Sequence, residues 1–167
     1  CPHDATIPVM TVPAHELRRL RVVAGEDPDR LAALVRARLG GEPLQYLEGT
    51  APFGPLELVV DHRVLIPRPE TEQLWELATG LVDNPQVIVD LYTGSGALAL
   101  GLKLVFPTAR VLATELSPGA VAVARANAAR LRPEVEILEG DLFAPLPEDL
   151  AGRVDLVVSN PPYVAEG

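Results

Sequence analysis

Asn160-Pro-Pro-Tyr163 stands directly after the apolar run Val154-Asp-Leu-Val-Val-Ser159. Proline has no N–H to give to a sheet ladder, so two in succession end a strand and stiffen the turn after it. Such a turn sets the side-chain carbonyl of Asn160 beside the backbone carbonyl of Pro161. Together they can accept both N–H bonds of an –NH2 group, with Pro162 in the turn and Tyr163 stacked on or walling a planar acceptor. An amide-type nitrogen is a poor nucleophile because its lone pair is delocalised, so its reaction depends on being held. Positioning of that kind can supply about 7–11 kcal/mol, and carbonyl dipoles stabilise positive charge developing on nitrogen. No strong general base is required, because the substituted nitrogen becomes acidic and loses its proton readily.

A second group of residues speaks to what such a nitrogen would attack. Asp90-Leu-Tyr-Thr-Gly-Ser-Gly96 joins a strand to a helix. Glycines there let the backbone turn sharply and approach a ligand closely. Glu115 ends the next strand, 19 residues after Gly96, the usual place for an acid that accepts both ribose hydroxyls. Asp141-Leu-Phe143 follows the third strand, where an acid can accept the exocyclic amine of adenine and Leu142 or Phe143 can pack on its face. No Lys-Ser/Thr follows Gly96, which excludes a P-loop. The ligand reads as an adenosine without a polyphosphate, S-adenosylmethionine rather than ATP. NAD is also compatible with the spacing alone.

These groups need a scaffold, and the hydrophobic periods supply one. Helical spacing predicts helices over 14–24 and, with Asp27 as cap and Pro28 in the first turn, over 28–39. Alternation around Gly54-Pro55 predicts a hairpin over 51–60, and 64–66 is extended ahead of Pro67. A helix follows from Pro69 to about Val82, with Leu74, Leu77, Ala78 and Leu81 as its buried stripe, joined by Trp75. Strands at 87–91, 110–114, 135–138 and 154–159 alternate with helices at 97–105 and 118–131. That order implies a parallel, doubly wound α/β sheet with right-handed crossovers. The organisation expected is a helical segment over 1–45, a hairpin linker over 46–68 and a ligand-binding domain over 69–167.

Composition narrows the classes. The chain has 167 residues, 48% hydrophobic and 22% charged, as in soluble globular proteins. A formal net charge of −9 argues against a broad grip on nucleic-acid phosphates. One cysteine excludes a disulfide framework, and His3, His15 and His62 make no metal-ligand spacing. Apolar runs fall short of a membrane span, no secretory pattern opens the chain, and the expected setting is a cytoplasmic monomer.

With Asn160-Pro-Pro-Tyr163 in place, the chain resembles the S-adenosylmethionine-dependent methyltransferases that act on amide or exocyclic amino nitrogens. Gly41-Glu-Pro-Leu-Gln-Tyr-Leu47, Phe53-Gly54 and above all Leu65-Ile-Pro-Arg-Pro-Glu-Thr-Glu72 make it similar to the release-factor glutamine N5-methyltransferases. The resemblance spans about residues 27–167. It implies a Rossmann-like fold and methylation of the glutamine of a Gly-Gly-Gln tripeptide in peptide-chain release factors. S-adenosylhomocysteine would be the product, and the N-terminal helices would help dock the factor. By position it implies cofactor contacts from Tyr92, Thr93, Gly94, Ser95, Gly96, Glu115, Asp141, Leu142 and Asn160. The substrate glutamine would lie against Asn160, Pro161, Pro162 and Tyr163, with Asn160 and Pro161 as the catalytic pair. Tyr92 stands where the family has glycine, and Glu115 where aspartate is commoner. The family adds further strands after the Asn-Pro-Pro-Tyr motif, so a fragment, even one without catalytic competence, is an expectation as well. A nucleic-acid adenine N6-methyltransferase is the alternative enzyme.

Overall fold

The computed structural model describes residues 11–131 and 134–161. Residues 1–10, and Pro162 and Tyr163 of the terminal motif, lie outside the described residues. The chain divides at Gly49 and Thr50 into two compact units.

The first unit holds three helices, α1 (Ala14–Ala24), α2 (Pro28–Leu39) and α3 (Leu44–Glu48). Asp27 caps α2 as its side-chain chemistry predicts, its carboxylate accepting from the N–H groups of Asp29 and Arg30, each at 2.9 Å. Arg38 joins α2 to α1 through a forked pair with Glu16, at 2.6 and 3.0 Å. Arg19 reaches from α1 to Glu48 of α3. Helix α3 was not foreseen, because five residues are too few to display a period. Among the described residues of this unit, Leu20, Ala24 and Leu44 are the buried apolar ones, and α2 has none.

The second unit opens with the antiparallel hairpin β1 (Thr50–Phe53) and β2 (Leu56–Val59), then α4 (Pro69–Leu81). Next come β3 (Val87–Leu91), α5 (Ala97–Val105), β4 (Arg110–Glu115), α6 (Pro118–Leu131), β5 (Val135–Glu139) and β6 (Leu156–Ser159). The four later strands form one parallel sheet in the order β5-β4-β3-β6. Two crossovers therefore run outward from β3 in one direction before the chain returns to its other side. That reversal makes the carboxyl ends of β3 and β6 the switch point of a doubly wound sheet, where ligands bind in this architecture. Right-handed crossovers in one direction put α5 and α6 on the same face. There Ile88, Val111, Ala113, Ile137 and Val158 share a core with Leu98, Leu102, Val121 and Ala124. No described helix is long and apolar enough to cross a membrane.

Two expectations needed correction. Strand β6 begins at Leu156 rather than 154; just before it, the Asp155 N–H donates to the Val87 carbonyl at 3.0 Å and the Asp155 carboxylate accepts from the backbone N–H groups of Gln86 and Val87 at 2.7 and 3.0 Å. Helix α4 keeps Leu74, Trp75 and Ala78 of its expected stripe against the core but turns the other two members outward. Leu77 and Leu81 are 60% and 66% exposed, whereas Thr71 and Ala78 are buried. Residues 71, 74, 75 and 78 follow the i, i+3, i+4, i+7 spacing of one helix face. Trp75 sets that face. Its ring lies 5.8 Å from that of Phe53, in a space that a Cβ at Gly54 or Gly101 would invade at 2.9 and 3.0 Å.

Candidate active site

Leaving β3, the backbone enters the left-handed region at Tyr92 (φ 58°), Gly94 (55°) and Gly96 (86°). The turn is pinned by the Thr93 N–H to the Thr114 carbonyl at 3.1 Å and by the Gly96 N–H to the Thr93 carbonyl at 2.8 Å. A residue with a Cβ pays roughly 1–2 kcal/mol in this conformation, so Tyr92 carries a strain that glycine would not. Leu142, in the loop after β5, does the same at φ 45°. Strained residues of this kind persist where surrounding structure over-determines them, and they cluster at functional sites. Both lie in loops at the carboxyl edge of the sheet.

Two carboxylates border the turn. Asp90 faces the helices, fully buried, with Oδ2 accepting from the Thr93 hydroxyl at 2.6 Å and from the Ala99 N–H at 3.1 Å. Burial pushes its carboxyl up to about 7; the Thr93 and Ala99 bonds oppose the rise and the nearby Glu115 charge adds to it. Among the described residues, Oδ1 of Asp90 and Oγ1 of Thr114 are buried without a hydrogen-bond partner. Glu115 reaches back to the turn, accepting from the Gly94 N–H with Oε2 and from the Ser117 N–H with Oε1, each at 3.0 Å. Each of those oxygens retains a second lone-pair site, so the carboxylate can still accept a vicinal pair of ribose hydroxyls. Among the described residues, nothing lies within 4 Å of where a Cβ at Gly94 would point. The turn has no lysine or arginine between Asp90 and Leu102, and the Glu115 carboxylate beside it repels phosphate. An adenosyl group bearing a cationic sulfonium fits this donor set; a polyphosphate does not.

Asn160 is placed by the sheet register. Leu91 of β3 pairs with Ser159 of β6, so residues 92–96 and Asn160 leave adjacent strands at the same edge. Asn160 is half-buried and Pro161 exposed. The Asn160 amide, through Nδ2, donates to the Thr71 hydroxyl at 2.9 Å. Asp141 and Leu142 stand exposed after β5, beyond β4, with the Gly140 N–H bonded to the Glu115 carbonyl at 3.0 Å.

Several residues that hold this edge together escaped sequence reasoning. Thr71 and Glu72 sit inside the 65–72 stretch, yet only the fold shows their partners. Glu72 accepts from the Gly54 N–H at 2.8 Å, fastening the hairpin turn to α4. Asn127, wholly buried on α6, accepts from the Val59 N–H at 2.7 Å and donates to the carbonyls of Val59 and Ser95, both at 2.9 Å. It joins the hairpin to the glycine turn. A polar residue without a buried position in a helical period was the only available signal.

This combination of reversed parallel sheet and adenosyl-compatible turn is the architecture of a methyltransferase domain. A family model described as "Methyltransferase small domain" matches residues 76–167, more than half of the chain, and the chain belongs to that family. Among curated relatives it is similar to the release factor glutamine methyltransferase of Mycolicibacterium smegmatis, 56% identical over 155 residues, covering 89% of this chain and 54% of that protein. The same-named protein of Corynebacterium glutamicum is 47% identical over 145 residues, covering 84% and 52%. The chain thus spans about half the length of the curated relatives it matches. A solved Thermus thermophilus 16S rRNA N2 G1207 methyltransferase, in complex with AdoMet and guanosine, shares the fold. It is 24% identical with a TM-score of 0.57, covering 71% of this chain and 33% of that one.

Proposed function

We propose that this protein transfers a methyl group from S-adenosylmethionine to the side-chain amide nitrogen of the glutamine in the Gly-Gly-Gln motif of peptide-chain release factors. One observation carries the reading: the pairing of Leu91 with Ser159, which brings the glycine turn and Asn160 to one edge of the sheet. The names of the relatives support the substrate.

Glu115 receives the ribose hydroxyls, with residues 92–96 as the floor, and Asp141 and Leu142 flank the adenine. When bound, S-adenosylmethionine supplies an electrophilic methyl carbon and departs as S-adenosylhomocysteine. Asn160 and the Pro161 carbonyl accept the two N–H bonds of the glutamine amide and direct its nitrogen lone pair toward that carbon. Their dipoles stabilise the charge gained by nitrogen, and the surplus proton passes to water. Pro162 and Tyr163 wall the acceptor in this reading. The protein works as a cytoplasmic monomer, its N-terminal helices docking the release factor.

The test is transfer of labelled methyl to a release factor and to the same factor with the motif glutamine changed to alanine. Label on the first and none on the second is expected. Label retained on the alanine variant, or none on either, overturns the proposal.

A further inference from the structure

Asn160 meets Thr71 across 89 residues of chain, and the contact is a hydroxyl accepting from Nδ2. Thr71 is buried near the start of α4, on the face that also carries Leu74, Trp75 and Ala78. Valine would fill the same volume on that mostly apolar face, so the hydroxyl adds little to packing. Its place is set twice over: the Thr71 N–H bonds the Arg68 carbonyl at 2.9 Å, and the next residue, Glu72, anchors α4 to Gly54.

An asparagine amide has two ends of nearly equal shape, one donating and one accepting. Only the oxygen end can receive an N–H from an acceptor amide; with the nitrogen end presented, two donors would face each other. We infer that Thr71 is a positioning residue: its hydroxyl, able to donate or accept, here accepts from Nδ2 of Asn160, and this orientation of the amide turns Oδ1 toward the methyl acceptor. The inference rests on the proposed function for its catalytic half. It also gives the 65–72 stretch a physical role, since that stretch brings the hydroxyl to the end of β6.

The experiment compares Thr71→Val and Thr71→Ser with the wild-type chain. In the 15N–1H spectrum the Asn160 side-chain pair, assigned by its loss in Asn160→Asp, is expected to shift in Thr71→Val and return in Thr71→Ser. Methyl transfer should lose about 10–100-fold in kcat in the valine variant, with calorimetric affinity for S-adenosylmethionine unchanged, and most of the rate should return with serine. An Asn160 pair that does not move, a valine variant with full kcat, or a serine variant no better than valine overturns the inference. A wild-type chain that transfers no methyl group overturns the proposed function instead, and with it the catalytic half of this inference. An active wild-type chain with an indifferent Thr71→Val overturns the inference alone.

Discussion

Asp90 shows what a single side chain contributes to the glycine turn. Strand alternation points it to the helix-covered face of the sheet, where its two bonds tie β3 to Thr93 and to the first turn of α5. Burial there makes ionisation costly, and its carboxyl is pushed up to about 7. In the unfolded chain the same group titrates near its usual value of 3.8. Between these values the folded state holds a proton that the unfolded state has lost, so stability falls as pH rises from about 4 to about 7 and then levels. Asp90→Asn removes this contribution. Melting temperatures from pH 5 to 8 should therefore decline more in the wild type than in the variant. Parallel curves would show that Asp90 does not titrate in this window.

At the scale of elements, the hairpin matters more than its two short strands suggest. Glu72 fastens its turn and Asn127 its far end, and Asn127 carries the link on to the carbonyl of Ser95. Replacing Asn127 by leucine keeps the volume but strands the Val59 N–H and two carbonyls. Losing partners for groups of this kind should cost about 2–4 kcal/mol, read as a lower urea midpoint with an unchanged slope. A midpoint equal to wild type would remove Asn127 as the joint between hairpin and turn. None of this was legible locally. In the alanine-rich run 118–131 an asparagine reads as an exposed polar residue, and only the arrival of β2 from 68 residues away makes it a buried one.

For the whole molecule, the two units differ in how they are held. The second has a layered core, with Ile88, Val89, Leu100, Leu102 and Leu112 wholly buried. The first has a small buried set and relies on the pairs Arg38–Glu16 and Arg19–Glu48. Arg19 is half exposed, and pairs of that kind contribute about 0–1 kcal/mol. Native-state hydrogen exchange should accordingly show amides of α1 and α2 opening at lower free energy than those of β3 and β4. Equal protection in both units would contradict this ranking.

Local chemistry was enough to place most elements. Helices α1, α2, α5 and α6 and strand β3 lie at their expected bounds, because caps, prolines, glycines and hydrophobic periods act within a few residues. The same locality made the glycine turn, Glu115 and Asn160 legible as candidates, since each follows a strand end. Orientation was not local. Which face α4 buries was decided by Trp75 fitting against Phe53, Gly54 and Gly101. Asp90 inward, Asn127 as a joint and Thr71 against Asn160 likewise depend on surfaces that meet only after the sheet closes its order β5-β4-β3-β6. By itself the sequence determined which residues could act. Tertiary structure decided what holds them, because a hydrogen bond across 89 residues exists only when two remote elements are packed side by side.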